Sequence, residues 1–168
     1  MKPKKPEKTK LLIGIMYKND TSLEKVKKEL IKKFGAIDHE SQPYLFDDFS
    51  MYYEKEMGKK IYKKFLTFEK LIDREKLADI KLFTNSLEEK YSKNKKRTIN
   101  LDPGYITKYS LILASAKERY NKILLRKGIY GEITLTFAKS RCISFEYTHK
   151  DYRDSKNQEF FLKIRNQL

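Results

Sequence analysis

The segment Lys10–Tyr17, KLLIGIMY, constrains the fold more than any other stretch of the chain. It is apolar on both faces of an extended backbone, and so it reads as a buried central strand. A chain of 168 residues is long enough to bury such a strand in one domain. We expect a flexible basic tail over residues 1–9 and a single domain over 10–168. With 39% hydrophobic and 13% aromatic residues the chain is too apolar for a disordered tail. Its mean hydropathy is −0.75, and its longest apolar run, Leu11 to Met16, is too short to cross a bilayer. The basic opening leads into no signal-length apolar stretch, which points to a cytoplasmic protein with no membrane partner.

Along the chain, Thr21 and Glu24 have capping-box spacing, and Leu23, Val26, Leu30, Ile31 and Phe34 recur at helical spacing before Gly35. Residues 36–46 read as a strand that Pro43 confines to an edge or a bulge. Residues 47–60 are acidic and aromatic, a loop with a helical turn. The β-formers Phe65, Leu66, Thr67 and Phe68 place a strand within 61–72. Asp73 caps a helix bearing Leu77, Ile80, Thr84, Leu87 and Tyr91, and residues 97–101 form a short strand. Asp102 and Pro103 then look like the cap and first position of a helix with Ile106, Tyr109, Leu113, Ala116, Tyr120 and Ile123 along one face. Residues 121–127 look extended. Ile129 to Phe137 alternates strictly as a strand, 141–147 form another, and Ser155 with Gln158 caps a last helix. The order predicts an α+β fold: a ferredoxin-like β-α-β-β-α-β plait, followed by a helix, strands and a terminal helix on an antiparallel or mixed sheet.

The formal net charge of +15 suggests a polyanionic partner, yet only 7 of the 38 basic residues are Arg and 31 are Lys, the less specific of the two for phosphate. The basic groups gather at Lys2 to Lys10, at Lys90 to Arg97, and from Lys117 to Lys127; such clusters neutralise phosphates or simply solvate a surface. No phosphate loop, dinucleotide fingerprint, H-E-x-x-H, G-x-S-x-G or C-x-x-C occurs. One cysteine, Cys142, excludes an internal disulfide. The opening strand and element order are superficially like an RNA-recognition motif. Leu12 stands where that module carries an aromatic, and Tyr62, Phe65 and Phe68 would have to stack the bases.

Two polar constellations remain. Asp47, Asp48, Tyr52, Tyr53, Glu54 and Glu56 cluster carboxylates, in which Asp47, Asp48 and Glu54 are candidate ligands for magnesium; pairing with surface lysines accounts for them equally well. Asn100 to Tyr105, NLDPGY, reads as a strand-to-helix junction whose free N–H groups would face an anion, with Asn100, Asp102 and Tyr105 as ligand-binding candidates; a well-capped helix explains the same residues. No other cofactor is evident.

The segments KLLIGIMY, YYEKEMGK, FEKLID, DIKLFTN-LE, NLDPGYIT, KGIYGEITL and DYR, in that order, resemble a prokaryotic family of unknown function, the domain numbered 4416. The likeness runs from about Lys10 to Phe161. It implies a family and no chemistry. The residues it brings forward are Asp48, Tyr53, Glu54, Asn100, Asp102, Tyr105, Lys117 and Glu132, of which Asp48, Tyr53, Glu54, Lys117 and Glu132 are the candidates for catalysis.

Three function classes follow. The first is a binding module for nucleic acid or a phosphorylated ligand. The second is a small metal-assisted or acid–base enzyme acting on a phosphorylated metabolite, which requires segments 47–56 and 100–105 to meet in one pocket. The third is a structural or assembly protein, such as a homodimer, whose Tyr and Phe residues form core and interface.

Overall fold

All eight residues of β1 (Lys10–Tyr17) are buried, because the strand has neighbours on both edges and packing on both faces. It lies antiparallel between β4 (Tyr62–Phe68) and β5 (Ile99–Ile106). The computed structural model describes residues 1–168 and contains one nine-stranded antiparallel sheet and five helices, an α+β fold. On the far edge of β4 lie β2 (Ile37–Glu40) and β3 (Tyr44–Leu45). Beyond β5 come β6 (Ser110–Ser115), β8 (Ile129–Phe137) and the edge strand β7 (Lys122–Arg126), with β9 (Cys142–Ser144) also on β8. The spatial order of the main path is therefore β2-β4-β1-β5-β6-β8-β7.

The period-2 alternation of β1 sends its side chains to two separate cores. Leu11, Ile13 and Ile15, with Leu66 and Phe68 of β4, meet Leu23, Val26 and Leu30 of α1 (Asp20–Phe34) and Ile80 and Leu87 of α3 (Leu77–Lys90). Leu12 and Phe65 face the other way, against Tyr152 of α4 (Lys150–Arg153) and Phe161 and Ile164 of α5 (Ser155–Arg165). At the far end of that second face, Met16 and Ile61 pack under Phe46 and Met57, the latter in the short helix α2 (Glu54–Met57).

Several local expectations change in the folded chain. The helix expected after Asp102 does not form. Residues 99–106 continue as a strand, and a turn returns the chain as β6. The Thr107 hydroxyl accepts from the backbone N–H groups of Tyr109 and Ser110, both at 3.0 Å, which fixes a tight side-chain-closed turn. Ile106, Leu111 and Leu113 then share one sheet face, so a spacing that suits a helix is met by a hairpin. The caps also shift. Asn19, one residue before α1, accepts from Ser22 N–H, and Asp154 accepts from the N–H groups of Lys156 and Asn157. Asp73 makes no side-chain cap bond. Pro43 divides the expected strand 36–46 into β2 and β3.

One departure from regular pairing shapes the site. β6 pairs with β5 only over Gly104, Tyr105 and Ile106. Pro103 has no N–H to continue the ladder, so β6 leaves β5 at that point and the N-terminal half of β5 loses its second neighbour. Its stranded groups find other partners on α3: Leu101 N–H donates to Glu88 Oε1 at 2.6 Å, and Lys81 Nζ donates to Leu101 C=O at 2.9 Å. Gly104 lies at the fork. A Cβ there would come within 2.2 Å of the Ile112 carbonyl oxygen, which is why only glycine lets the two backbones approach.

Candidate functional site

The parting of β5 and β6 opens a cleft of about 1190 Å³ on the second face of the sheet. Its inner wall is built from β1, β4, β5, β6 and β8, with Lys81, Asn85 and Glu88 of α3 reached through the fork, and its sides from the 46–53 segment, the 114–122 segment and residues 146–153. Alternation along β5 presents Asn100 and Asp102 to this cleft, while Tyr105 falls on the opposite face beside Leu77 and Ala78 of α3.

The inner wall is a connected polar network. Lys63 Nζ donates to Asp151 Oδ2 at 2.7 Å, with both side chains almost wholly buried, and lies 3.8 Å from Asp102 Oδ2. Tyr44 OH donates to the same Asp151 oxygen at 2.9 Å. The ammonium also lies over the faces of Tyr152, Phe46 and Phe65. Burial alone would raise the Asp151 carboxyl, but the Lys63 charge and the two donated hydrogen bonds outweigh it and hold the group below its ordinary value. Asp102 Oδ2 accepts from Asn100 Nδ2 at 3.0 Å, and Asn100 Oδ1 accepts from Arg97 Nη1 at 2.7 Å. Arg97 in turn forks onto Glu56 with two bonds of 2.8 Å, and it lies over the Tyr53 ring. Burial pushes the Glu88 carboxyl up despite Lys81 and the Leu101 N–H.

Tyr152 differs from its neighbours. Its side chain is fully buried, it lines the cleft, and its hydroxyl has no hydrogen-bond partner. Burial, and then the charges of Asp102, Asp151 and Glu132, push the phenol far above its ordinary value, so it stays protonated and able to donate.

The outer rim is cationic. Lys117, Arg119 and Lys150 line it and make no salt bridge; Lys117 donates to Tyr52 OH at 2.7 Å. Lys122 Nζ bonds Ser115 Oγ at 2.9 Å and lies 3.8 Å from Glu132, and its burial lowers its pKa. Glu132 is further held by Asn121 Nδ2 at 2.9 Å and Thr134 Oγ1 at 3.3 Å.

Of the residues singled out in the sequence, Asp47, Asp48, Tyr52, Tyr53, Asn100, Asp102, Lys117 and Glu132 line this one cleft; Glu54, Glu56 and Tyr105 do not. Asn100 and Asp102 are there as consecutive inward positions of a strand, not as a helix cap. Lys117 lies just past the end of β6 rather than in a helix. The Asp47 carboxylate accepts from the backbone N–H groups of Lys60 and Ile61, and Glu54 lies 3.5 Å from Lys59. No group of three His, Cys, Asp or Glu side chains is placed to hold a metal ion. Phe65 and Phe68 are fully buried on opposite faces of β4, so with Tyr62 they form no base-stacking platform. Lys63, Glu88, Arg97, Asp151 and Tyr152 were not legible as site residues. The DYR triplet was the one sequence signal for the last two.

Against family models, residues 7–168 match "Domain of unknown function (DUF4416)". No curated protein and no solved structure matches.

Proposed function

The chain belongs to the DUF4416 family, described as a domain of unknown function, and from its cleft we propose that it binds a phosphorylated small molecule. The observation that carries the reading is the ring of cations at the rim. Lys117, Arg119 and Lys150 line the same opening and none of them makes a salt bridge, although Asp48 and Glu146 line it too, and Lys122 stands behind them. A phosphate placed there gains several charge-assisted hydrogen bonds. At about 1190 Å³ the cleft is slightly larger than the ~300–1,000 Å³ of most small-molecule sites, roomy enough for such a ligand with water beside it, and it is mixed in polarity. A nucleic-acid backbone would meet the inner carboxylates, which favours a compact ligand over a polymer. The strand order β2-β4-β1-β5, with α1 and α3 on one face, supports a ferredoxin-like plait for the first half of the chain, with the cleft added by the second half.

The test is isothermal titration at physiological salt with ribose 5-phosphate and unphosphorylated ribose as probes. The phosphorylated probe binds, ribose binds at least tenfold more weakly, and the double variant K117A/R119A loses most of the difference. Equal binding of the two probes, or an unaffected double variant, refutes the reading. Tight, steeply salt-dependent binding of a single-stranded oligonucleotide in their place supports nucleic acid.

A second reading, acid–base chemistry on the same ligand, is favoured by one observation: Asp47, Asp48 and Tyr53 meet Asn100 and Asp102 in a single cleft. Phosphorus NMR of a probe incubated with the protein tests it. A product peak that Asp102→Asn abolishes supports turnover, and an unchanged spectrum argues for binding alone.

A further inference from the structure

The inner wall of the cleft carries the opposite chemistry from its rim, and the difference specifies the other end of the ligand. Four inner-wall carboxylates can be compared by what their oxygens already do. Asp151 takes both of its bonds, from Lys63 and Tyr44, on Oδ2, and its side chain is only 2% exposed, so its other oxygen is out of a ligand's reach. Glu88 accepts from Leu101 N–H and faces Arg97. Both oxygens of Glu132 accept hydrogen bonds, from Asn121 and Thr134. Asp102 uses Oδ2 for Asn100 and leaves Oδ1 with no hydrogen-bond partner, on a side chain that is 24% exposed to the cleft. Near it the Tyr152 hydroxyl is buried and unpaired, a state that is costly unless a partner arrives. An acceptor without a donor and a hydroxyl without a partner therefore share one wall.

An anionic group is excluded from this wall by its carboxylates. A cationic amine is disfavoured as well, because the Lys63 ammonium already stands 3.8 Å from Asp102 Oδ2 and would repel the amine. The group that fits is neutral and both donates and accepts. The geometry points to a ligand whose inner end is a vicinal diol, a phosphorylated sugar, with one hydroxyl donating to Asp102 Oδ1 and the other paired to the Tyr152 hydroxyl. This rests on the reading that the rim holds phosphate, and it adds what lies at the ligand's other end.

Ribose 5-phosphate, 2-deoxyribose 5-phosphate and inorganic phosphate separate the two claims by calorimetry. The wild type prefers ribose 5-phosphate over the deoxy sugar and over inorganic phosphate by about tenfold, the worth of one well-made buried hydrogen bond. In Tyr152→Phe and Asp102→Asn the preference falls to less than about threefold, while inorganic phosphate binds as in the wild type or more tightly. Tyr152→Phe removes an unsatisfied group without changing ring packing, so it melts at or above the wild-type temperature, and lost preference in it is not lost folding. Equal wild-type affinity for the two sugars, or a preference that survives Tyr152→Phe, overturns the diol assignment while leaving phosphate binding intact. Failure of all three probes, or no loss in K117A/R119A, overturns the phosphate reading and the diol assignment with it.

Discussion

Asp151→Asn tests the buried ion pair on which the inner wall is built. Lys63 and Asp151 have side chains only 3% and 2% exposed, and their N···O distance is 2.7 Å. Removing the negative partner leaves an ammonium where water does not reach, a change that costs about 3–5 kcal/mol in comparable sites. Two features here moderate the loss. Asp102 stands 3.8 Å away, and the Tyr152 ring centroid lies 4.7 Å from the ammonium. Cation–π contacts of this kind are worth about 0.5–2 kcal/mol. We therefore expect a loss near the low end, about 3 kcal/mol, equivalent to a fall in Tm of about 6–12 °C for a domain of this size. The chain has no Trp, so urea unfolding is followed by far-UV circular dichroism. The double variant K63M/D151L removes both charges and should lie within about 1 kcal/mol of wild type. A loss below about 1 kcal/mol in Asp151→Asn, or a double variant as damaged as the two single changes combined, would show that the pair does not hold the wall together.

Three further outcomes follow from named contacts. Gly104→Ala forces a methyl against the Ile112 carbonyl oxygen and Leu113, so it destabilises the fork by about 1–3 kcal/mol or more in the same urea assay, whereas an unchanged midpoint would place the fork elsewhere. Burial would raise the Asp38 carboxyl, but hydrogen bonds from Lys10 and Thr67, with His39 close by, lower it from 3.8 to about 2. A depressed carboxyl stabilises above its unfolded value, so its contribution is complete above about pH 4 and lost as pH falls through about 2. Asp38→Asn should flatten acid unfolding in that window, and an unaltered acid profile counts against the assignment. Arg97→Lys keeps the charge but breaks the fork on Glu56 and the bond to Asn100, so ribose 5-phosphate binding weakens severalfold; unchanged affinity would mean that Asn100 needs no such support.

How far the sequence reaches depends on where the information lies. KLLIGIMY reads as a central strand because burial on both faces is written in consecutive residues; the alternation of Ile129 to Phe137 marks β8 as a strand too, but a register shift against β6 puts Ile129 and Leu135 in different cores and leaves Ile133 exposed. The helix wrongly expected after Asp102 shows the limit. Asp-Pro is a good helix start locally, but here Pro103 interrupts a ladder and Thr107 closes a hairpin, and both roles depend on β1 and β6 as neighbours. The polar residues of 47–53 and 100–102 stand out in a basic chain, so part of the cleft was visible. Lys63 was not, because one lysine among 31 carries no mark of burial, and only Asp151, 88 residues later, explains it. Tyr152 reads as one aromatic among many, and its unpaired hydroxyl exists only in three dimensions. The charge of +15 is clearer for the comparison. Part of the positive charge lies on Lys2 to Lys8 and on Lys93, Lys95 and Lys96, none of which lines the cleft, and the part that bears on function is the small rim group at Lys117, Arg119, Lys122 and Lys150.

The most direct test is therefore one that separates the cleft from the rest of this positive surface: a ¹H–¹⁵N NMR titration of the protein with ribose 5-phosphate at physiological salt. The account predicts saturable shifts concentrated at Lys117, Arg119 and Lys122 on the rim and at Asn100, Asp102 and Tyr152 on the inner wall, with little change at Lys2 to Lys8 or Lys93 to Lys96. Shifts that spread over those lysine clusters, do not saturate and fade with added salt would contradict it, because they report charge without a site.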